Sequence, residues 1–271
     1  MDRSYYETAD YIKSIIDYQP EFAIILGSGL GEIEDIVDVD KVLPYSQLPN
    51  FPVSTVEGHK GNLVFGTIAG RRVVIQQGRF HIYEGYAPQK SVFGVRVMRL
   101  LGAKTLFVSN AVGAVNESYK TGDLMLIEDQ INLLPNPLVG ENDEKLGVRF
   151  PDMTRAYDRE LIVKAESIAK KEGIRIHIGV LLSGTGPSFE TPAEYRYFKT
   201  VGADVVSMST TNEVIAARHC GFDVLGISIV TNEAYNFAND FLNSGADVIV
   251  EANKAAKKMM TLFRGVISYE L

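Results

Sequence analysis

The sequence predicts an α/β protein with a mostly parallel or mixed central sheet flanked by helices, and three observations carry that reading. Short apolar runs rich in β-branched residues alternate with helical patterns along the chain. Several runs are apolar almost without a break, as strands covered on both faces by helices must be. The 271 residues, 46% hydrophobic and 23% charged, suffice for one large core, and no repeat, low-complexity tract or linker composition divides them. A single domain over 1–271 is expected.

Taken in order, the chain opens with Tyr5, Ala9, Ile12 and Ile16 at helical spacing, an amphipathic helix. Asp2, Glu7 and Asp10 exclude a secretory hydrophobic region there. FAIIL (22–26) reads as the first strand. GSGLG (27–31) then puts small residues in a strand-to-helix turn, where backbone N–H groups and the Ser28 hydroxyl can face an anion. No Gly-Lys-Ser/Thr follows, and Glu32 stands where a dinucleotide fingerprint needs its third glycine. The carboxylates of EIEDIVDVD (32–40) read as a solvated surface. His59, between glycines in VEGHKGNLVFG, reads on its own as a loop residue at the surface.

RVVIQQ (72–77) is the next strand and runs into GRFHIYEGY. If 79–83 stays extended, Arg79, His81 and Tyr83 alternate onto one face. Together they offer a planar fork for anion oxygens, a tunable donor and an aromatic wall. TLFVSN (105–110) is a strand leading to Ala111. The polar, Gly/Pro-punctuated stretch 135–153 is a long loop of the kind that carries function or meets a partner. DRELIVKAESIAKKEG is a helix ending on Gly173, where a left-handed cap belongs. IHIGVLLS (176–183) is a strand, and TPAEY starts a helix: Thr191 caps it, Pro192 takes the first position and Glu194 completes a capping box. DVVSMS (204–209) and VLGISIVT (224–231) are strands, and 246–266 forms the closing helix.

The net charge of −7 disfavours nucleic acid as a partner, so any bound anion must be held by local groups. Cys220, the one cysteine, permits no internal disulfide, reads as an inert thiol and suits a reducing compartment. With four histidines, one cysteine and no metal-ligand spacing, a zinc site is not expected. No run approaches the roughly 18 apolar residues of a membrane span, so a cytoplasmic protein is expected.

Polar residues gather just beyond six of these strands: Ser28; Arg79, His81 and Tyr83; Asn110 and Ala111; Phe189 and Glu190; Met208 and Ser209; Asn232. Ligands of open α/β sheets bind outside the carboxyl ends of strands, so the six ends nominate one crevice. Glu190 can serve the dipole of the helix it precedes, or it can accept hydrogen bonds from a purine edge while Phe189 covers the ring. Asn232, both donor and acceptor, suits the same heterocycle.

The stretches ILGSGLG, GHKGNLVFG, QQGRFHIYEGY, LFVSNAVG, RFPDM, GPSFETPAE, VVSMSTTNEVIAARHCG and TNEA, in this order, resemble the low-molecular-mass, trimeric purine nucleoside phosphorylases over nearly the whole chain. The resemblance implies a Rossmann-like mixed sheet partly closed into a barrel, and phosphorolysis of 6-oxopurine nucleosides with inorganic phosphate as co-substrate and neither a metal nor an organic cofactor. It implies phosphate contacts from Ser28, His59, Arg79, His81, the backbone at Ala111, and Ser209. Ribose contacts fall to Tyr83 and Met208, with Phe150 closing the sugar pocket of a neighbouring subunit in a homotrimer. Base contacts fall to Phe189, Glu190, Val206 and Asn232, and the catalytic roles to His81, Glu190 and Asn232.

Three departures stand out. No histidine lies in 236–247 to meet the ribose 5′-hydroxyl, Ala114 stands where a glycine or serine is usual, and Gln130 replaces a histidine at a position of structural character. The rival readings are a 5′-methylthioadenosine phosphorylase, which typically has aspartate at the Asn232 position, and a non-catalytic purine- or phosphate-binding protein.

Overall fold

The computed structural model describes residues 3–30, 36–56, 58–235 and 244–269. Nine strands form one mixed sheet: β1 (Phe22–Leu26), β2 (Asp38–Pro44), β3 (Asn62–Ile68), β4 (Arg71–Gln77), β5 (Thr105–Ala114), β6 (Leu124–Asn132), β7 (Ile176–Ser183), β8 (Val205–Ser207) and β9 (Asp223–Glu233). Their order is β2-β3-β4-β1-β5-β8-β7-β6-β9, and β9 returns to pair with β5. β5, β8, β7, β6 and β9 thereby close a barrel, while β1 to β4 extend from it as an open wing.

β5 links the two parts. Its first residues pair in parallel with β1, from Thr105↔Phe22 to Val108↔Ile25. At Gly113 and Ala114 it pairs antiparallel with β8 instead. β9 follows its other edge throughout. Between Val108 and Gly113 one edge of β5 therefore has no strand beside it, and the sheet splits open at the carboxyl end of β1. That is a topological switch point, where α/β sheets place ligands.

Helices cover the sheet: α1 (Tyr5–Lys13), α2 (Pro88–Ser91), α3 (Phe93–Leu100), α4 (Arg159–Lys171), α5 (Pro192–Thr200), α6 (Thr211–His219) and α7 (Gly245–Tyr269). β1 is buried at all five positions, as its unbroken apolar sequence requires. α1 buries Tyr5, Ala9 and Ile12, and Ile16 is buried just beyond it. The Asp158 side chain caps α4, and Gly173 takes φ 65° past its end. Thr191 and Glu194 form the reciprocal capping box on α5, with Pro192 in its first turn. No helix or strand interrupts 133–158.

The structure adds three strands that periodicity had not marked. β2 exposes five of its seven residues and carries carboxylates, so residues 38–40 are solvated as expected but sit on an edge strand. β3 and β6 complete the set. Residues 79–83 do not stay extended: β4 stops at Gln77, Gly78 turns at φ 107°, and Ile82–Glu84 form a 3-10 turn. The helix expected after GSGLG falls on 31–35, outside the described residues; so does most of the 236–247 stretch that lacks the histidine.

Candidate active site

A crevice of about 550 Å³ opens at the split beside β5. Eleven of the thirteen residues nominated by sequence line it: Ser28, Arg79, His81, Tyr83, Ala111, Phe189, Glu190, Val206, Met208, Ser209 and Asn232. They converge through the tertiary fold, from segments within or just after strands of both directions, not because of local periodicity.

The anion-facing part is built from four segments. Arg79 is only 2% exposed, and its guanidinium is clamped from behind. Nε and Nη2 donate to the two Glu213 carboxylate oxygens at 3.0 and 2.9 Å, and Nη1 donates to the Ser109 carbonyl at 2.7 Å. This fork-on-fork pair fixes the guanidinium plane and balances its charge in a buried place. Glu213 lies in the first turn of α6, so the helix also positions the arginine.

His59 does not line the crevice wall itself; it stands behind Ser28. Its Nε2 lies 3.1 Å from Ser28 Oγ and its Nδ1 2.7 Å from Ser54 Oγ. Gly78 makes room for it, since a Cβ there would lie 2.7 Å from His59 Cβ. Burial, reinforced by the charges on His81 and Arg79, lowers the His59 pKa to about 3, so the ring is neutral near pH 7. The isolated-loop reading of His59 as a surface residue is thereby corrected.

His81 stacks on Tyr83 with ring centres 4.4 Å apart, and its Nδ1 is 2.9 Å from Glu84 Oε1. Burial pulls its pKa down, opposed by that carboxylate. Glu84 also accepts from the His81 N–H at 2.8 Å and from the Thr55 N–H and hydroxyl at 2.7 and 2.8 Å. Burial alone would raise the Glu84 carboxyl, but these bonds outweigh it and hold it down at about 2. One ionised carboxylate thus orients His81 and ties the 53–56 segment to it.

Ser209, also in the lining, shortly precedes α6. Its N–H donates to Ser207 Oγ at 3.1 Å, which also accepts from the Asn110 amide at 3.3 Å. Thr210, beside it, is 2% exposed and held at φ 79°, a conformation that L-residues rarely adopt.

The crevice also holds Phe189, Glu190, Val206 and Asn232 together with Tyr195, which periodicity did not single out. The Tyr195 hydroxyl donates to Glu190 Oε2 at 2.8 Å. Burial raises the Glu190 pKa, and the tyrosine hydrogen bond partly counters it. Asn232 is the penultimate residue of β9, where Thr231 Oγ1 donates to its carboxamide oxygen at 3.4 Å.

Phe150 lies elsewhere. It is 86% exposed on the long loop and lines a separate cavity with Gln130, Leu138 and Met153. Gln130 has the structural bonds expected of it: it accepts from the Tyr157 hydroxyl at 2.9 Å and donates to the Thr211 carbonyl at 3.2 Å. Ala114 is wholly buried in β5 and contributes no wall to the crevice. Cys220 is buried, which pushes its thiol up to about 11. Among the described residues no group of three or more His, Cys, Asp or Glu side chains could hold a metal ion, and no helix is long and apolar enough to cross a membrane.

Sequence reasoning missed three supporting residues. Glu84 and Glu213 sit inside the quoted motifs, but only the folded chain shows what they hold. Tyr195 was legible in principle, since the capping box fixes α5 and places its hydroxyl five residues past Glu190.

The crevice brings a hydroxyl, a guanidinium and an imidazole together with Phe189, Glu190, Val206 and Asn232 on a sheet that splits at its switch point, the arrangement expected of a nucleoside-phosphorylase type of site. Comparisons with known proteins agree. Residues 21–268 match the sequence profile of the phosphorylase superfamily. The chain is 48% identical over 252 residues to purine nucleoside phosphorylase 1 of Geobacillus stearothermophilus, covering 93% of this chain and 91% of that one. It is 45% identical to the Bos taurus purine nucleoside phosphorylase, with 96% and 92% covered. The Schistosoma mansoni purine nucleoside phosphorylase in complex with adenosine superposes with a TM-score of 0.93 at 42% identity, covering 98% and 96% of the chains. The chain therefore belongs to the phosphorylase superfamily and, within it, to the purine nucleoside phosphorylases.

Proposed function

We propose that the protein cleaves purine nucleosides of the 6-oxo type, inosine and guanosine among them, with inorganic phosphate, releasing the base and ribose 1-phosphate. The observation that carries this is the convergence of phosphate-type donors and a Phe-Glu-Asn base slot on one crevice at the β5 split. Relatives with this fold have been solved with inosine and with guanosine bound.

In this reading Ser28, Arg79, His81, the Ala111 backbone and Ser209 hold phosphate, with His59 acting through Ser28. Tyr83 and Met208 meet the ribose. Phe189 and Val206 sandwich the base while Glu190 accepts from its N–H edge. The C1′–N9 bond breaks early, the sugar takes on oxocarbenium character, and a phosphate oxygen bonds to C1′. The electron pair of the broken bond enters the purine, where the Asn232 amide stabilises the charge at N7. This is electrostatic stabilisation with positioning, and no covalent enzyme intermediate is needed.

Phe150 extends the reading to a homotrimer. A phenylalanine 86% exposed on a long loop suits a role in a neighbour's sugar pocket. Light scattering on the purified chain tests the oligomer, and a monomer would remove that role. The lone buried Cys220 suits a cytoplasmic location.

The activity is tested by ultraviolet assay of inosine, guanosine, adenosine and 5′-methylthioadenosine, each with and without phosphate. Phosphate-dependent loss of inosine and guanosine is expected. Cleavage of methylthioadenosine alone would overturn the base-slot assignment. Binding without turnover of any substrate would overturn the enzyme itself.

A further inference from the structure

A cavity of about 430 Å³ lies between α1, the α2–α3 segment and residues 139–141 of the long loop. Its walls include Tyr5, Phe93 and Val139, and Arg96 opens onto it from the buried face of α3. Arg96 is 2% exposed, its Nε is buried without a hydrogen-bond partner, and no hydrogen bond or ion pair of its guanidinium is found among the described residues. The contrast with Arg79, equally buried but fully clamped, is direct.

The nearby buried carboxylate, Asp143, is committed elsewhere. It accepts from the Tyr5 hydroxyl at 2.6 Å and the Lys145 N–H at 3.2 Å, and it lies 3.8 Å from Arg3. What faces the Arg96 guanidinium is the Tyr5 ring, 5.3 Å from its central carbon. A buried cation is costly unless an anion or strong acceptors meet it, and a guanidinium is shaped to take two oxygens of one group.

We propose that this cavity is a binding site for a small organic monocarboxylate, with its carboxyl group on Arg96 and its apolar body against Tyr5, Phe93 and Val139. Charge selects the ligand class. Arg96 is the one deeply buried cation of the lining; Lys90 at the rim bonds to the Asn50 carbonyl, and Glu141 there is paired with Arg3 at 3.1 Å. One buried cation without an anion beside it suits a single negative charge better than a phosphate dianion. The aromatic walls suit a ring or short chain rather than an inorganic ion.

The test is calorimetric titration of the full-length protein with benzoate, its neutral isostere benzamide, and inorganic phosphate. Titrations are repeated on Arg96→Met and on Val139→Trp, which fills the cavity mouth and keeps the arginine. Saturable benzoate binding that is at least tenfold weaker in both variants, with no matching benzamide signal, is expected. Inosine phosphorolysis by Arg96→Met should match that of the parent, which separates this site from the crevice. Equal benzoate affinity in parent and variants, equal affinity for benzamide, or no saturable binding to the parent would each overturn the proposal. Should Arg96→Met fail to fold, Val139→Trp alone decides.

Discussion

Glu213→Gln is the sharpest probe of how the phosphate end is built. The substitution keeps shape and one acceptor, but it removes the charge facing Arg79 and turns one of two acceptors into a donor. Both side chains are nearly solvent-free, at 2% and 5% exposure. Taking one partner from a buried, hydrogen-bonded pair typically costs about 3–5 kcal/mol, because the remaining charge is stranded. Taking about 3 kcal/mol, a chain of this length should lose roughly 5 °C in Tm. The kinetic consequence is separate. Glu213 spends two hydrogen bonds on fixing the guanidinium plane. Losing one charge-assisted bond, about 1.5–3 kcal/mol, should raise the phosphate KM at least about tenfold. The inosine KM should move little, since Glu213 does not line the crevice. Steady-state kinetics with phosphate and inosine varied in turn, plus a melting curve, measure both. A Tm within about 2 °C of the parent together with an unchanged phosphate KM would refute the clamp.

Three further outcomes follow from the same geometry. Asn232→Ala and Glu190→Ala should each lower kcat/KM about 100–1000-fold, whereas Tyr83→Phe should stay within a few-fold; equal, mild losses in all three would sink the base-slot assignment. Burial already raises the Glu190 carboxyl and Tyr195 holds it partly down, so nucleoside kcat/KM should fall as pH drops and Glu190 protonates. Tyr195→Phe should move that acidic limb to higher pH and leave the plateau above it intact, and an unmoved limb would dismiss Tyr195 as a positioning group. The His59 pKa is lowered from 6.5 to about 3, so between those values the unfolded chain binds a proton that the folded one does not. Stability should therefore fall with acidification across that window, by roughly 1.4 kcal/mol per pH unit from this group. Melting curves at pH 6.5 and 5 should show a shallower decline in His59→Asn than in the parent.

Much of the architecture was legible from sequence because its strands are unusually apolar. FAIIL and IHIGVLLS match β1 and β7 end to end. β2 escaped notice because an exposed edge strand carrying Asp38, Asp40 and Lys41 has no apolar signature. The site was legible to the extent that its residues follow strand ends. Arg79, His81 and Tyr83 reach the crevice, yet through a glycine turn and a 3-10 turn rather than along an extended strand. The support Glu213 was illegible for a different reason. A carboxylate's partner 134 residues away leaves no trace in local pattern.

The change of neighbours along β5 also bears on how such a protein diversifies. The gap from Val108 to Gly113 is made by backbone pairing, so any sequence that keeps these strands in register keeps the opening. On the proposed reading, base preference is written onto a segment that can vary without disturbing that register: Phe189 and Glu190 ahead of α5. A mutant library confined to these positions should yield altered base selectivity with melting temperatures close to the parent's. One confined to the core residues of β5 should yield little except unfolded protein.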